Sequence, residues 1–171
     1  MSLEVRHSTI HGKGVFTTAP ISKHSIISRV NIVREVTSEH PLDPEKGELE
    51  HHCHWYPDRT TVLIGEPHRY LNHSCEPNVF YYTTNKIIFL LAMRDIKENE
   101  ELTLEYSLCN FGGKVWDCRC GSSNCRSRHR CGFQYMTEAK QIQFLPYLDP
   151  FIVEVYSDSI QKILDKQLMS K

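Results

Sequence analysis

The sequence predicts a mainly-β domain of short strands and tight turns, followed by a cysteine-rich loop and C-terminal helices. Three observations lead there. Short runs rich in β-branched and aromatic residues alternate with Gly, Pro, Asn and Asp over the first 106 positions. Residues 114–132 lose almost all aliphatic side chains and gain Cys and Arg. Beyond 136 the apolar residues recur at helical spacing.

In chain order, Val5–Ile10 and Gly14–Phe16 read as strand-like segments around the turn His11-Gly12-Lys13-Gly14. Two glycines one residue apart let backbone approach a ligand closely. Residues 25–33 read as one or two strands, and polar 37–50, with Pro41 and Pro44, as a loop closing in a short helical turn. His51-His52-Cys53-His54 reads as a partly exposed polar strand end rather than a second metal site, and 60–64 as a strand. Arg69-Tyr70-Leu71 looks strand-like, and 79–84 with 86–93 forms a hairpin turning at Thr84-Asn85. Residues 101–106 alternate polar and apolar, the period of a half-buried strand, with Tyr106 closing it. After Gly112-Gly113, the loop 114–132 needs a staple, because it has no core of its own. Residues 137–145 and 151–169 read as helices parted by Pro146 and Pro150.

With 171 residues, 40% of them apolar and 24% charged, the chain is expected to be one globular domain with a small appendage. Its longest apolar runs fall far below the roughly 20 residues of a membrane span. The N-terminus lacks the apolar core of a signal peptide. The expectation is a soluble intracellular protein, cytoplasmic in a microbe or nuclear in a eukaryote. Twenty basic and 21 acidic residues argue against nucleic acid as the direct ligand.

Seven cysteines, an odd number, argue against a disulfide framework. Cys118-x-Cys120-x4-Cys125 offers three thiolates on one loop, whereas a structural zinc site takes four ligands. Cys75, Cys131, Cys109 or a histidine are candidates for the fourth. Asn72-His73-Ser74-Cys75-Glu76-Pro77-Asn78 is dense in polar, turn-forming side chains. Gly12-x-Gly14 lacks the third glycine of a dinucleotide site.

Together and in this order, the motifs resemble those of SET-domain protein lysine methyltransferases. Gly12-Lys13-Gly14-Val15-Phe16 resembles the N-terminal glycine turn, and Arg69–Asn78 the central signature. Glu100–Tyr106 resembles the segment ending in the catalytic tyrosine, and Cys118–Arg126 the zinc-binding post-SET motif. The resemblance implies several small curved sheets with a knot-like crossing where the 72–78 and Tyr106 segments are tucked together. It implies a SET domain over 1–110, a post-SET zinc loop over 111–132 and a helical extension over 133–171. The implied zinc ligands are Cys75, Cys118, Cys120 and Cys125.

The resemblance further implies S-adenosylmethionine as cofactor. It would be held by Gly12, Lys13, Gly14, Val15, Arg69, Asn72, His73 and Tyr106, with Phe133 over the adenine. Tyr106 is the implied catalytic tyrosine, assisted by Asn72, His73 and Tyr56. Leu104 and Tyr56 would line the lysine channel, with Trp55, Tyr81 and Tyr82 as alternatives to Tyr56. Leu104 stands where the family usually carries Phe or Tyr, which suggests room for more than one methyl group. The expected partner is a protein with an exposed lysine, a histone tail or another basic tail. The C-terminal helices would cap the core, cover the substrate surface or form a homodimer interface. The competing reading is a catalytically silent SET module that binds proteins as a scaffold.

Overall fold

A computed structural model describes residues 2–110 and 112–169. Four small sheets carry the N-terminal three-quarters of the chain. The first contains β1 (Leu3–His7), β2 (Lys13–Thr17), β7 (Asn72–His73) and β10 (Glu101–Leu104), in the order β1-β2-β10-β7. The second has β3 (Ile26–Arg29), β9 (Ile87–Ala92) and β8 (Val79–Thr84). The third has β4 (Ile32–Val36), β6 (Thr61–Ile64) and β5 (Cys53–Trp55). The fourth is the ribbon of β11 (Val115–Asp117) and β12 (Arg128–Arg130). The helices are α1 (Glu138–Phe144), α2 (Pro150–Val155) and α3 (Ser157–Met169).

The expected hairpin forms, with Asn85 and Lys86 both at positive φ in its turn. Alternation along β8 and β9 sends Val79, Tyr81, Ile88 and Leu90 inward. They join Val15, Leu71, Leu102 and Leu104 in the main core.

Local readings change at several places: the 114–132 stretch, read as a loop, carries the ribbon of β11 and β12, and the hairpin turns at Asn85-Lys86 rather than Thr84-Asn85. Arg69 and Tyr70 lie in a 3-10 turn over His68–Tyr70 rather than in a strand. Tyr106 begins another 3-10 turn, Tyr106–Leu108, instead of closing β10. Glu105 caps that turn by accepting the Ser107 N–H at 3.1 Å, so the chain leaves the sheet one residue before the tyrosine. The single helix expected over 151–169 is broken at Tyr156, whose φ of −112° departs from helical geometry.

The helices close a second core. Phe133, Phe144, Leu148, Phe151, Ile152, Ile160 and Ile163 pack with Leu108 and Met93 of the β region. A buried polar joint fixes their approach. Asp149 caps α2 through the Phe151 N–H at 3.1 Å and accepts the Thr83 hydroxyl of β8 at 2.5 Å. His54 Nε2 lies 3.2 Å from the same Thr83 oxygen. Since the Thr83 proton goes to Asp149, His54 is the donor to Thr83.

Candidate functional site

The crossing that positions the site is the parallel pairing of β10 with β7, Thr103 opposite Asn72 and Leu104 opposite His73. Asn78 locks it: its Oδ1 accepts the Thr103 N–H at 2.8 Å, and its Nδ2 donates to the Glu101 carbonyl at 2.8 Å. The 72–78 and 101–106 segments, expected to be tucked together, are thus joined directly. Asn72 ties in the glycine turn, its Nδ2 lying 2.9 Å from the Lys13 carbonyl and 2.8 Å from Glu101 Oε1. Gly14 leaves room for that carboxylate, for a Cβ there would meet Glu101 Oε1 at 2.2 Å.

Two cavities meet at Tyr106. The larger, about 500 Å³, is lined by Ile10, His11, Asn72, His73, Trp116 and the Cys118–Cys120 loop, among others. The smaller, about 60 Å³, is lined by Leu71, Tyr81, Leu104, His52, His54 and Cys109, among others. Tyr106, His51 and Asn110 line both. The Tyr106 hydroxyl donates to the Leu71 carbonyl at 2.9 Å, and burial raises its pKa, so it stays protonated.

Lys114, Asp117 and Arg119 put charge on the wall of the larger cavity, whereas the buried imidazoles of the site are held neutral. Burial, then His129 and Arg126, push His73 down to about 2. Burial, then Arg126, takes His129 to about 3. Burial likewise takes His54 to about 4, and burial helped by His51 takes His52 to about 4. These imidazoles are neutral near pH 7. Trp116 packs on the rings of His73 and His129, at 5.4 and 4.3 Å between centroids.

Cys75, Cys118, Cys120 and Cys125 converge, their four sulfurs all within 4.8 Å of one another. A tetrahedral zinc with bonds of about 2.3 Å sets its sulfurs about 3.8 Å apart. Cys75 and Cys118 Sγ are 3.8 Å apart, so this donor set fits zinc. Against burial, which raises it, the Cys75 N–H and Ser122 pull the Cys120 thiol down to about 6. Glu76 pins the loop beside the cluster, accepting from Asn124 Nδ2 at 2.6 Å and Ser123 Oγ at 3.2 Å.

Several expected site residues lie elsewhere. Tyr56 lines neither cavity: its hydroxyl is spent on the Lys86 carbonyl at 2.8 Å, and Tyr81 faces the smaller cavity instead. Phe133 is fully buried in the second core and cannot cover a ligand. Trp116, rather than Phe133, lines the larger cavity beside Tyr106. Gly12, Lys13, Gly14 and Val15 are not among that cavity's lining residues: Gly12 and Lys13 are exposed elsewhere, Gly14 and Val15 are buried, and Ile10 and His11 line the cavity instead. Arg69 borders the smaller cavity and bonds Glu66 Oε1 and the Tyr70 hydroxyl, at 2.5 and 2.8 Å. The structure adds His51, Trp116, Glu105 and Arg126. The sequence reading missed Trp116; its one signal is that it is the single aromatic between positions 114 and 128.

The architecture of small sheets around a central crossing agrees with comparisons to known proteins. The family model described as SET domain matches residues 12–107, over half of the chain, and the chain belongs to this family. A Plasmodium falciparum protein provisionally named histone-lysine N-methyltransferase 1 is 32% identical over 144 residues, 75% of this chain and 2% of that one. Drosophila melanogaster histone-lysine N-methyltransferase ash1 is 33% identical over 128 residues, 67% of this chain and 6% of that one. The chain therefore spans only a small part of the length of these relatives. The crystal structure of KRYPTONITE in complex with mCHG DNA and SAH covers 74% of this chain and 28% of that one, at 25% identity and a TM-score of 0.55. Among the described residues, no helix is long and apolar enough to cross a membrane.

Proposed function

We propose that this chain is the catalytic SET module of a protein-lysine N-methyltransferase acting on a histone tail or another basic tail. S-adenosylmethionine in the larger cavity would supply an electrophilic methyl group. Trp116, Asn72, His73, Ile10 and His11 form the walls that would hold it. The smaller cavity would take the lysine end.

The chain's own groups suit that chemistry. A lysine amine with a reference pKa of about 10.4 must be neutral to attack. Leu71, Ile64 and Leu104 supply apolar wall, which disfavours the ammonium. The Tyr106 hydroxyl gives its proton to Leu71, leaving its lone pairs for the amine N–H at the junction. Fixing the amine there lowers the barrier by orientation. The four-cysteine cluster would hold Zn²⁺ as a closed structural site, with no open position for catalysis. It staples the loop that carries Cys118, Arg119 and Cys120 into the cavity wall.

The observation that carries this reading is that Tyr106 lines both cavities. The test is methyl transfer from radiolabelled S-adenosylmethionine to core histones and to a whole-cell lysate, with Tyr106→Phe in parallel. Label on protein lysine that disappears in the variant is expected. Zinc-replete protein that binds neither the methyl donor nor its demethylated product overturns the proposal.

A further inference from the structure

Arg126 stands where the cysteine cluster meets the segment that carries Tyr106. Its backbone N–H and its Nε both point at Cys75 Sγ, from 3.5 and 3.4 Å. Its Nη2 pairs with the carboxylate of Glu105. Glu105 is only 1% exposed and immediately precedes Tyr106. Its other polar neighbours are the Ser107 N–H at 3.1 Å, His129 Nε2 at 3.4 Å and His73 Nδ1 at 3.7 Å. Among these neighbours Arg126 alone carries a permanent positive charge to balance the carboxylate.

A buried carboxylate is tolerated only when it is paired and hydrogen-bonded. A thiolate on a metal is likewise tuned by the N–H groups that reach its sulfur. One guanidinium serves both needs here. The geometry points to Arg126 as a positioning residue that couples metal retention at Cys75 to the seating of Glu105 and hence of the Tyr106 turn. Glu105 hydrogen-bonds none of the four clustered sulfurs, yet it fixes the guanidinium that reaches Cys75. The inference rests on the proposed function only for the catalytic identity of Tyr106; the coupling stands on the contacts.

Zinc release from the full-length, zinc-loaded protein into a chromophoric chelator tests it. Arg126→Met is expected to release zinc roughly 10- to 100-fold faster, the usual range when a ligand-supporting partner is lost. Glu105→Gln, at a residue that hydrogen-bonds none of the four clustered sulfurs, is expected to accelerate release as well, and the double variant to be no faster than Arg126→Met. Arg126→Lys, which keeps the charge but not the fork, should fall between wild type and Arg126→Met. A wild-type rate in Glu105→Gln, or a double variant whose effect is the product of the singles, overturns the coupling. So does a protein that holds no zinc. Should Glu105→Gln fail to fold, a wild-type rate in Arg126→Lys overturns it. Wild-type protein inactive in methyl transfer but with these non-additive rates would defeat the proposed function and leave the coupling standing.

Discussion

Tyr106 and Leu71 are joined by one hydrogen bond, hydroxyl to carbonyl at 2.9 Å, across the seam between β10 and β7. Leu71 immediately precedes Asn72, so the bond anchors the tyrosine ring to the strand whose next residues, Asn72 and His73, line the larger cavity.

Replacing Tyr106 by Phe removes that bond and the proposed amine acceptor while keeping the ring. Methyl transfer is expected to fall about 100-fold or more, the usual cost of lost alignment. Stability should fall by only about 1 kcal/mol, for one unmade hydrogen bond. Turnover and thermal melting, measured on the same preparation, check both halves. Equal turnover in wild type and variant would remove Tyr106 from the chemistry.

Gly14 is held small by Glu101, whose Oε1 would sit 2.2 Å from a Cβ, and whose carboxylate accepts from Asn72 and Ser8. Gly14→Ala is expected to displace that carboxylate and cost about 1–3 kcal/mol. Denaturant unfolding reads the loss. Binding of S-adenosylhomocysteine should weaken too, since Asn72 would be released from one of its partners.

Leu104 narrows the smaller cavity less than an aromatic would. Leu104→Phe should shift the products toward monomethyl-lysine, whereas the wild type should build more than one methyl. Mass spectrometry of the product peptide distinguishes them, and exclusively monomethyl product from wild type would refute the expectation.

Acid should unfold the protein early. Burial holds His54 and His68 at about 4, and burial with His51 holds His52 there, against about 6.5 in the unfolded chain. A depressed histidine pKa means the unfolded state binds more protons between those values, so stability is lost as pH falls through 6.5 toward 4. Asp149 opposes this. Burial raises it to about 6, against Thr83 and Phe151, so its contribution improves as pH falls from 6 toward 3.8. Three imidazoles outweigh one carboxyl, and the net loss between pH 7 and pH 5 is a few kcal/mol. A melting temperature that stays flat or rises over that interval would contradict these protonation states.

Much of the site could be read before any coordinates. The spacing of Cys118, Cys120 and Cys125 singled out the loop that clusters in the structure, and the motif order singled out Cys75, Asn72, His73 and Tyr106. What escaped was decided by direction in space. Tyr56 and Tyr81 are equally plausible channel aromatics as letters, but the Lys86 carbonyl claims the Tyr56 hydroxyl. Phe133 follows the cysteine-rich loop closely in sequence, yet the packing of α1 to α3 draws it into the second core. The break at Tyr156 lies inside an unbroken helical periodicity, which registers apolar spacing but not a bend between two packing faces.

The sequence by itself determined most of the strand order and the residue types that converge: the clustered cysteines, the tyrosine and the polar central motif. These are local facts of residue type and spacing, set by backbone sterics and side-chain donors. Only the tertiary structure decided which of them share a cavity, and that Arg126 and Glu105 join the cysteine cluster to Tyr106. Such pairings depend on the parallel seam of β10 and β7 and on the burial that makes each polar contact obligatory. Burial is a property of the whole packed chain.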